Sequence, residues 1–210
     1  MESHGTLAET RRALHGVAEL VLAGPQHASA DTVRLRVVPG GFATTVADPP
    51  CLLRGSYVER GGLTAAVDGS TPRELADALG LVASTLDHVY GDGSGVGLDD
   101  VLRIDEDAVG DLTDAWSAGD EALRRLDPAQ QPVLWPEHFD IGISLDEVNY
   151  GVSPGDATIP EPYAYVGPWT VPGPDEFWDR PFGAARLLGD LAGTDAVHAF
   201  FEEGRRRLGR

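Results

Sequence analysis

Residues 139–146, FDIGISLD, constrain the chain more than any other stretch. Phe139, Ile141, Ile143 and Leu145 alternate with Asp140, Gly142, Ser144 and Asp146. A period of two belongs to a β-strand with one face in a core and one face polar. Residues 32–38, TVRLRVV, repeat the pattern, with Val33, Leu35 and Val37 on one side and Arg34 and Arg36 on the other. Pro39-Gly40-Gly41 is a turn, and residues 42–47 return as the partner strand of a hairpin. Residues 52–59 read as a further strand or an irregular crossing, and residues 63–67 as a short strand. Tyr163 and Tyr165 alternate with Ala164 and Val166 on a last strand that ends at Gly167-Pro168-Trp169.

Helical periods lie between these strands. Residues 7–22 place Leu7, Leu14, Val17 and Val21 on one face, with Thr6 and Glu9 as a capping box and Gly24-Pro25 as the stop. Thr71, Pro72 and Glu74 form a second helix start. The spacing of Leu75, Leu79, Val82, Leu86 and Val89 predicts that this helix runs to Tyr90. Residues 91–100, GDGSGVGLDD, lack the Lys of a phosphate loop and the acidic spacing of a calcium loop, and read as a flexible linker. Asp99 then caps a short helix over 101–109, and another helix covers 112–126. Helices over 183–191 and 195–208, the latter capped by Thr194, complete the reading. The expected class is α+β, with antiparallel strands and helices packed mainly on one face. The expected organisation is a helix/hairpin/helix unit over 1–90, a Gly/Asp-rich loop with helices over 91–131, and a strand-loop-strand-helix unit over 132–210.

At 210 residues the chain can bury a core without a disulfide or metal staple. One cysteine, Cys51, excludes an intrachain disulfide and reads as a buried small hydrophobe. The formal net charge is −18, and every basic residue is an arginine. That balance argues against nucleic acid, which needs a basic footprint, and against an anionic membrane surface. Arg34 and Arg36 sit side by side on a polar strand face. Pairing with carboxylates is the simpler expectation for them than an anion site. His15 and His27 are lone histidines without a partner at ligand spacing. The opening residues lack the apolar core of a signal peptide, and no run reaches the length of a membrane span, so a cytoplasmic protein is expected.

Residues 132–169, PVLWPEHFDIGISLDEVNYGVSPGDATIPEPYAYVGPW, hold the densest set of polar and aromatic groups. The strings WPEHFD and NYGVSPGDATIPEPYAYVGPW, followed by Pro181-Phe182-Gly183-Ala184 and Phe200-Phe201 before Gly204, resemble a family of uncharacterised, mainly actinobacterial proteins. Its members carry WPxHFD and N[YF]GxSPGD…PEPYxYVGPW segments. The resemblance covers residues 132–204 and brings no activity with it.

The candidate ligand-binding residues are Trp135, His138, Asn149, Tyr150, Ser153, Asp156, Glu161, Tyr163, Tyr165 and Trp169, in a pocket for a small polar or sugar-like ligand. The aromatic members suit stacking on a sugar or planar group. His138, Asp140, Asp156 and Glu161 are the catalytic candidates, as a His/carboxylate or metal-dependent hydrolase or isomerase. His138 and Asp140, two apart on a strand, are the metal candidates. Ser153 with His138 as its base is a further reading, without a G-x-S-x-G elbow. A loop tied down by its own Asn149, Ser153, Asp156 and Glu161 is the structural alternative. No cofactor is expected. The partners expected are a small molecule or, through adjacent Phe200 and Phe201, a second copy in an acidic homodimer.

Overall fold

A computed structural model describes residues 2–210, with side chains from Thr6 onward. It is an α+β fold with antiparallel strands and helices packed against them. The chain divides into two units, Met1–Asp114 with Leu134–Phe139, and Ala115–Val133 with Asp140–Arg210. Among the described residues, no helix is long and apolar enough to cross a membrane.

The first unit opens with α1 (Glu2–Gly16). Thr6 therefore lies inside the helix and is not its cap. The helix does not stop at Gly24-Pro25. It winds into a π-helix over Val17–Ala23 and continues as α2 (Gly24–Ala30). Every residue of the π segment is buried, as expected of a helix that is apolar almost all round. The wider winding also accommodates Pro25. The Gly24 N–H bonds to the Glu19 carbonyl, one residue further back than in an α-helix. In that pattern the Leu20 carbonyl would await the N–H that Pro25 lacks. The N–H of Ser84 takes the place at 3.0 Å. Gly24 permits this approach, because a Cβ there would stand 2.2 Å from the Ser84 carbonyl oxygen.

Five strands follow: β1 (Leu35–Val38), β2 (Gly41–Thr44), β3 (Cys51–Arg54), β4 (Tyr57–Arg60) and β5 (Leu63–Ala66). The expected single stretch over 52–59 is a hairpin, turned at Gly55 with a φ of 55°. Leu35, Phe42, Leu53 and Val58 share the inner face and are fully buried. Each such side chain contributes about 1.5–3 kcal/mol of transfer free energy. α3 (Pro72–Ala78) has the expected capping box of Thr71 and Glu74, but it ends a full three turns early. Gly80 turns left-handed at φ 65°, and the N–H of Leu81 closes back on the Ala76 carbonyl at 2.8 Å. Val82 and Val89 are consequently exposed rather than aligned with Leu86 in a core. Residues 91–100 are no free linker. The buried Glu19 carboxylate accepts from Ser94 N–H at 2.9 Å and Ser94 Oγ at 2.6 Å, with Gly93 close against it.

One helix, α4 (Glu106–Leu126), replaces the two expected over 101–126. Asp105 bonds the Ala108 N–H at its start, while Asp99 pairs with Arg73 instead. β6 (Val133–Trp135) pairs with β1, Leu134 opposite Leu35. Phe139, at φ 56°, stacks on His15 at 4.9 Å and meets Phe42 edge-on.

The second unit holds β7 (Asp140–Leu145), β8 (Val148–Ser153), β9 (Tyr163–Pro168) and β10 (Ala184–Leu187), antiparallel in that order. β8 lies within the residues expected to be loop. Asp146 and Glu147, both at positive φ, make the two-residue turn that returns the chain so early. β10 replaces the helix expected over 183–191. Gly183 abuts β9 so closely that a Cβ would meet the Val166 carbonyl oxygen at 2.1 Å, and Ala184–Leu187 then pair along that strand. α5 (Thr194–Arg207) and the second half of α4 pack on one sheet face. Gly119 of α4 lies on Ile141 and Val152, and Gly204 of α5 on Val166, so a Cβ at either would stand 2.9 Å from those side chains. Phe200 and Phe201 are buried in this unit, and so present no external face.

Candidate functional site

The second unit's other sheet face carries most of the polar candidates. Its floor is made by glycines. Gly142 stands opposite Gly151, and Gly151 opposite Tyr165. With no side chains beneath it, the Tyr165 ring lies across both positions. A Cβ on Gly151 would be 2.5 Å from the Tyr165 hydroxyl and 2.5 Å from the Ile141 carbonyl oxygen. An aromatic laid over cross-strand glycine replaces the packing that glycine lacks. The Tyr165 hydroxyl donates to Oδ2 of the buried Asp140, two residues before Gly142 and on the same face.

Tyr163, two register positions away and opposite Ser153, repeats the bond from phenol to carboxylate. Its hydroxyl donates to Asp156 Oδ2 at 2.6 Å. The other oxygen of Asp156 accepts the N–H groups of Thr158 at 2.6 Å and Ile159 at 2.8 Å, which fixes the turn after Pro154 and Gly155. Ile159 thereby packs on Tyr163 and Ala185. The Gly155 N–H donates to Ser153 Oγ. Burial, the Asp140 charge and the hydrogen bond raise Tyr165 well above the ordinary tyrosine range. Burial and then the bond to Asp156 raise Tyr163 likewise. Both phenols are therefore neutral donors to carboxylates at neutral pH, and their oxygens retain lone pairs that can accept.

The remaining candidates are placed elsewhere. Tyr150 points to the opposite face, where it meets Phe201 edge-on at 5.9 Å, and burial pushes its phenol up to about 12. Asn149 shares the outer face and accepts from Ser144 Oγ at 2.7 Å and from Trp169 Nε1 at 3.5 Å. Trp169 is 66 % exposed. Glu161 is half-buried at the end of the loop. Trp135 belongs to the first unit, on β6, where Arg34 lies 5.6 Å from its ring. His138 is exposed in the same unit and makes no hydrogen bond or ion pair among the described residues. Among those residues, no group of three His, Cys, Asp or Glu side chains is placed to hold a metal ion.

Several groups outside the candidate set are chemically distinctive. Glu19 is buried beside Tyr90, whose phenol burial raises above its ordinary range. The signal available was a lone acid inside the apolar run VAELVLA. His15, set aside as a lone histidine, donates from Nε2 to the Pro136 carbonyl at 2.6 Å and is lowered by burial. A cleft of about 580 Å³ opens beside Pro172, Pro174 and Trp178. Its carboxylates are engaged: Asp175 holds the N–H groups of Phe177 and Trp178, and Asp179 pairs with Arg186. Cys51 is buried, and its thiol is pushed up to about 12 by burial, which leaves it protonated and unreactive at neutral pH.

No family model matches the chain, and neither a curated protein nor a solved structure matches it.

Proposed function

We propose that the protein binds a small, hydroxyl-rich, sugar-like ligand on the outer face of β7–β9, without catalysis. One observation carries the reading: two tyrosine–carboxylate pairs, Tyr165–Asp140 and Tyr163–Asp156, stand side by side on a single face, the first of them above a glycine floor. Carboxylates accept from ligand hydroxyls, and the half-buried Tyr165 ring presents apolar surface to a sugar ring while its oxygen accepts a further bond. The backbone ties on Asp156 hold that carboxylate in place before any ligand arrives, which lowers the entropic cost of binding. A His-based hydrolase draws less support, because His138 has neither a carboxylate nor a nucleophile within hydrogen-bonding reach among the described residues.

The test is a thermal-shift screen of monosaccharides, disaccharides and polyols against the wild type and Tyr165→Phe. A ligand at 100 times its Kd stabilises a folded protein by about 2.7 kcal/mol, a readily measured shift. At least one compound should raise the wild-type midpoint and have a smaller effect on the variant. If no compound moves the wild type, the proposal is wrong.

A further inference from the structure

The first unit carries a second, chemically opposite face. Arg34 and Arg36 project from β1 on the side away from the buried Leu35, and the register places Arg54 of β3 on the same side. Arg54 stands directly opposite Tyr57 of β4, which is 51 % exposed. At the other margin Arg34 lies over the ring of Trp135 at 5.6 Å. Two arginine–aromatic pairs thus flank Arg36.

All three arginines are exposed, and none forms an ion pair or donates a side-chain hydrogen bond among the described residues. Other exposed arginines of the chain behave differently: Arg12, Arg73, Arg124, Arg125, Arg206 and Arg207 each hold a carboxylate within 3.3 Å. Carboxylates outnumber arginines by 34 to 16, so leaving three guanidiniums together without partners runs against the composition. Glu59 shares the face through its place opposite Leu52, and it too makes no ion pair among the described residues. The face is therefore net cationic on a chain of net charge −18.

The strand beneath these groups is fixed. The buried Gln26 side chain donates to the carbonyls of Thr32 and Arg34, and its oxygen accepts from the N–H groups of Thr45 and Val46. Arg34 and Arg36 are consequently held at a strand's two-residue repeat, about 6.8 Å. An extended polypeptide with carboxylates at alternate residues has the same repeat. Guanidinium forks match carboxylates bidentately, and the exposed Tyr57 beside Arg54 supplies apolar contact at the margin.

We infer that this face docks an acidic segment of another polypeptide in extended conformation, with alternate carboxylates seated on Arg34 and Arg36 and a further one on Arg54. A nucleic acid fits less well, because its continuous phosphate backbone would run past the patch onto a strongly acidic surface. The site lies in the other unit from the proposed sugar site and stands independently of it.

The experiment is fluorescence anisotropy with a labelled peptide of alternating Glu and Thr, at about 20 mM salt, where surface charges are weakly screened. A Lys/Thr peptide and a single-stranded oligonucleotide of equal charge are run beside it. The acidic peptide should bind the wild type, weaken at least tenfold in Arg36→Ala/Arg54→Ala, and weaken again in Arg34→Ala alone. The Lys/Thr peptide should not bind. Absence of binding by the acidic peptide, or unchanged binding to both variants, overturns the inference. An oligonucleotide that binds more tightly than the peptide and is lost in the same variants also overturns it, and assigns the face to nucleic acid instead.

Discussion

The two outer sheet faces make opposite use of their polar groups. On β7–β9, hydroxyls and carboxylates are bonded to one another and to the backbone of residues 153–159. On β1–β4, Arg34, Arg36 and Arg54 stand in solvent without carboxylate partners among the described residues. The first face has the more distinctive sequence, and much of that distinctiveness serves its own architecture. The second has an unremarkable sequence and groups free for a partner. Density of unusual residues therefore measures how tightly a region specifies itself, whereas availability depends on what those residues already hold. If this contrast is right, substitutions on the first face cost stability, and substitutions on the second cost only binding.

The largest effect is expected at the glycine floor. Gly151→Ala places a Cβ 2.5 Å from two oxygens, one of them a strand carbonyl that cannot swing aside. Overpacking of this kind costs about 3 kcal/mol. Urea unfolding should show the midpoint falling accordingly. A loss under about 1 kcal/mol would mean that Tyr165 does not rest on this floor.

Tyr165→Phe comes next. It keeps the ring over the glycines and removes only the donor to Asp140, a buried carboxylate. A loss of about 2 kcal/mol is expected, within the range for withdrawing a hydrogen-bond partner from a buried charge. The same unfolding measurement decides it. An unchanged midpoint would show that the tyrosine–carboxylate pair contributes nothing to the fold.

A third effect depends on pH and belongs to the first unit. His15 is half-buried, packed between Phe139 and the Pro136 carbonyl, and its loss of solvent holds its pKa below the usual 6.5. The unfolded chain then binds the proton more readily than the folded one. Its contribution is complete above about pH 6.5 and is lost as the pH falls through the lower, folded value. Stability should decline on acidification below 6.5 by at most about 1.4 kcal/mol per pH unit, before exposed carboxylates titrate. His15→Phe keeps a ring against Phe139 and should abolish that slope. Equal slopes in the two proteins would assign the dependence to another group.

What could be read beforehand follows the range of the interactions. Strand periodicity is local, so β1 and β7 were legible from TVRLRVV and FDIGISL. The start of α3 was legible because Thr71, Pro72 and Glu74 lie within four residues and form a capping box. The end of α3 was not legible, since Leu79, Val82, Leu86 and Val89 keep a helical spacing that Gly80 interrupts. β10 reads AARL, too short and too alanine-rich to announce a strand, and it becomes one through pairing with β9. Among the site candidates, Asp140, Asp156, Tyr163 and Tyr165 share a face. Tyr150 has the same aromatic and polar character, but the early turn at Asp146-Glu147 sends it to the other side. The free arginines were the hardest to foresee. Composition favours pairing for any arginine, and only the register of separate strands shows where carboxylates are missing.

The smallest expected effect on stability is therefore the most informative about function. Arg34→Ala, Arg36→Ala and Arg54→Ala each remove an exposed side chain with no ion pair among the described residues, and each should leave the urea midpoint within about 0.5 kcal/mol of wild type. Arg34→Ala also uncovers Trp135, so its fluorescence should change while the midpoint does not. A loss well above 0.5 kcal/mol in Arg36→Ala would mean that this guanidinium is already engaged within the fold, and the contrast between the two faces would collapse. A flat stability profile across all three, beside the steep losses at Gly151 and Tyr165, would show that the fold does not use these charges, which leaves them available to a partner.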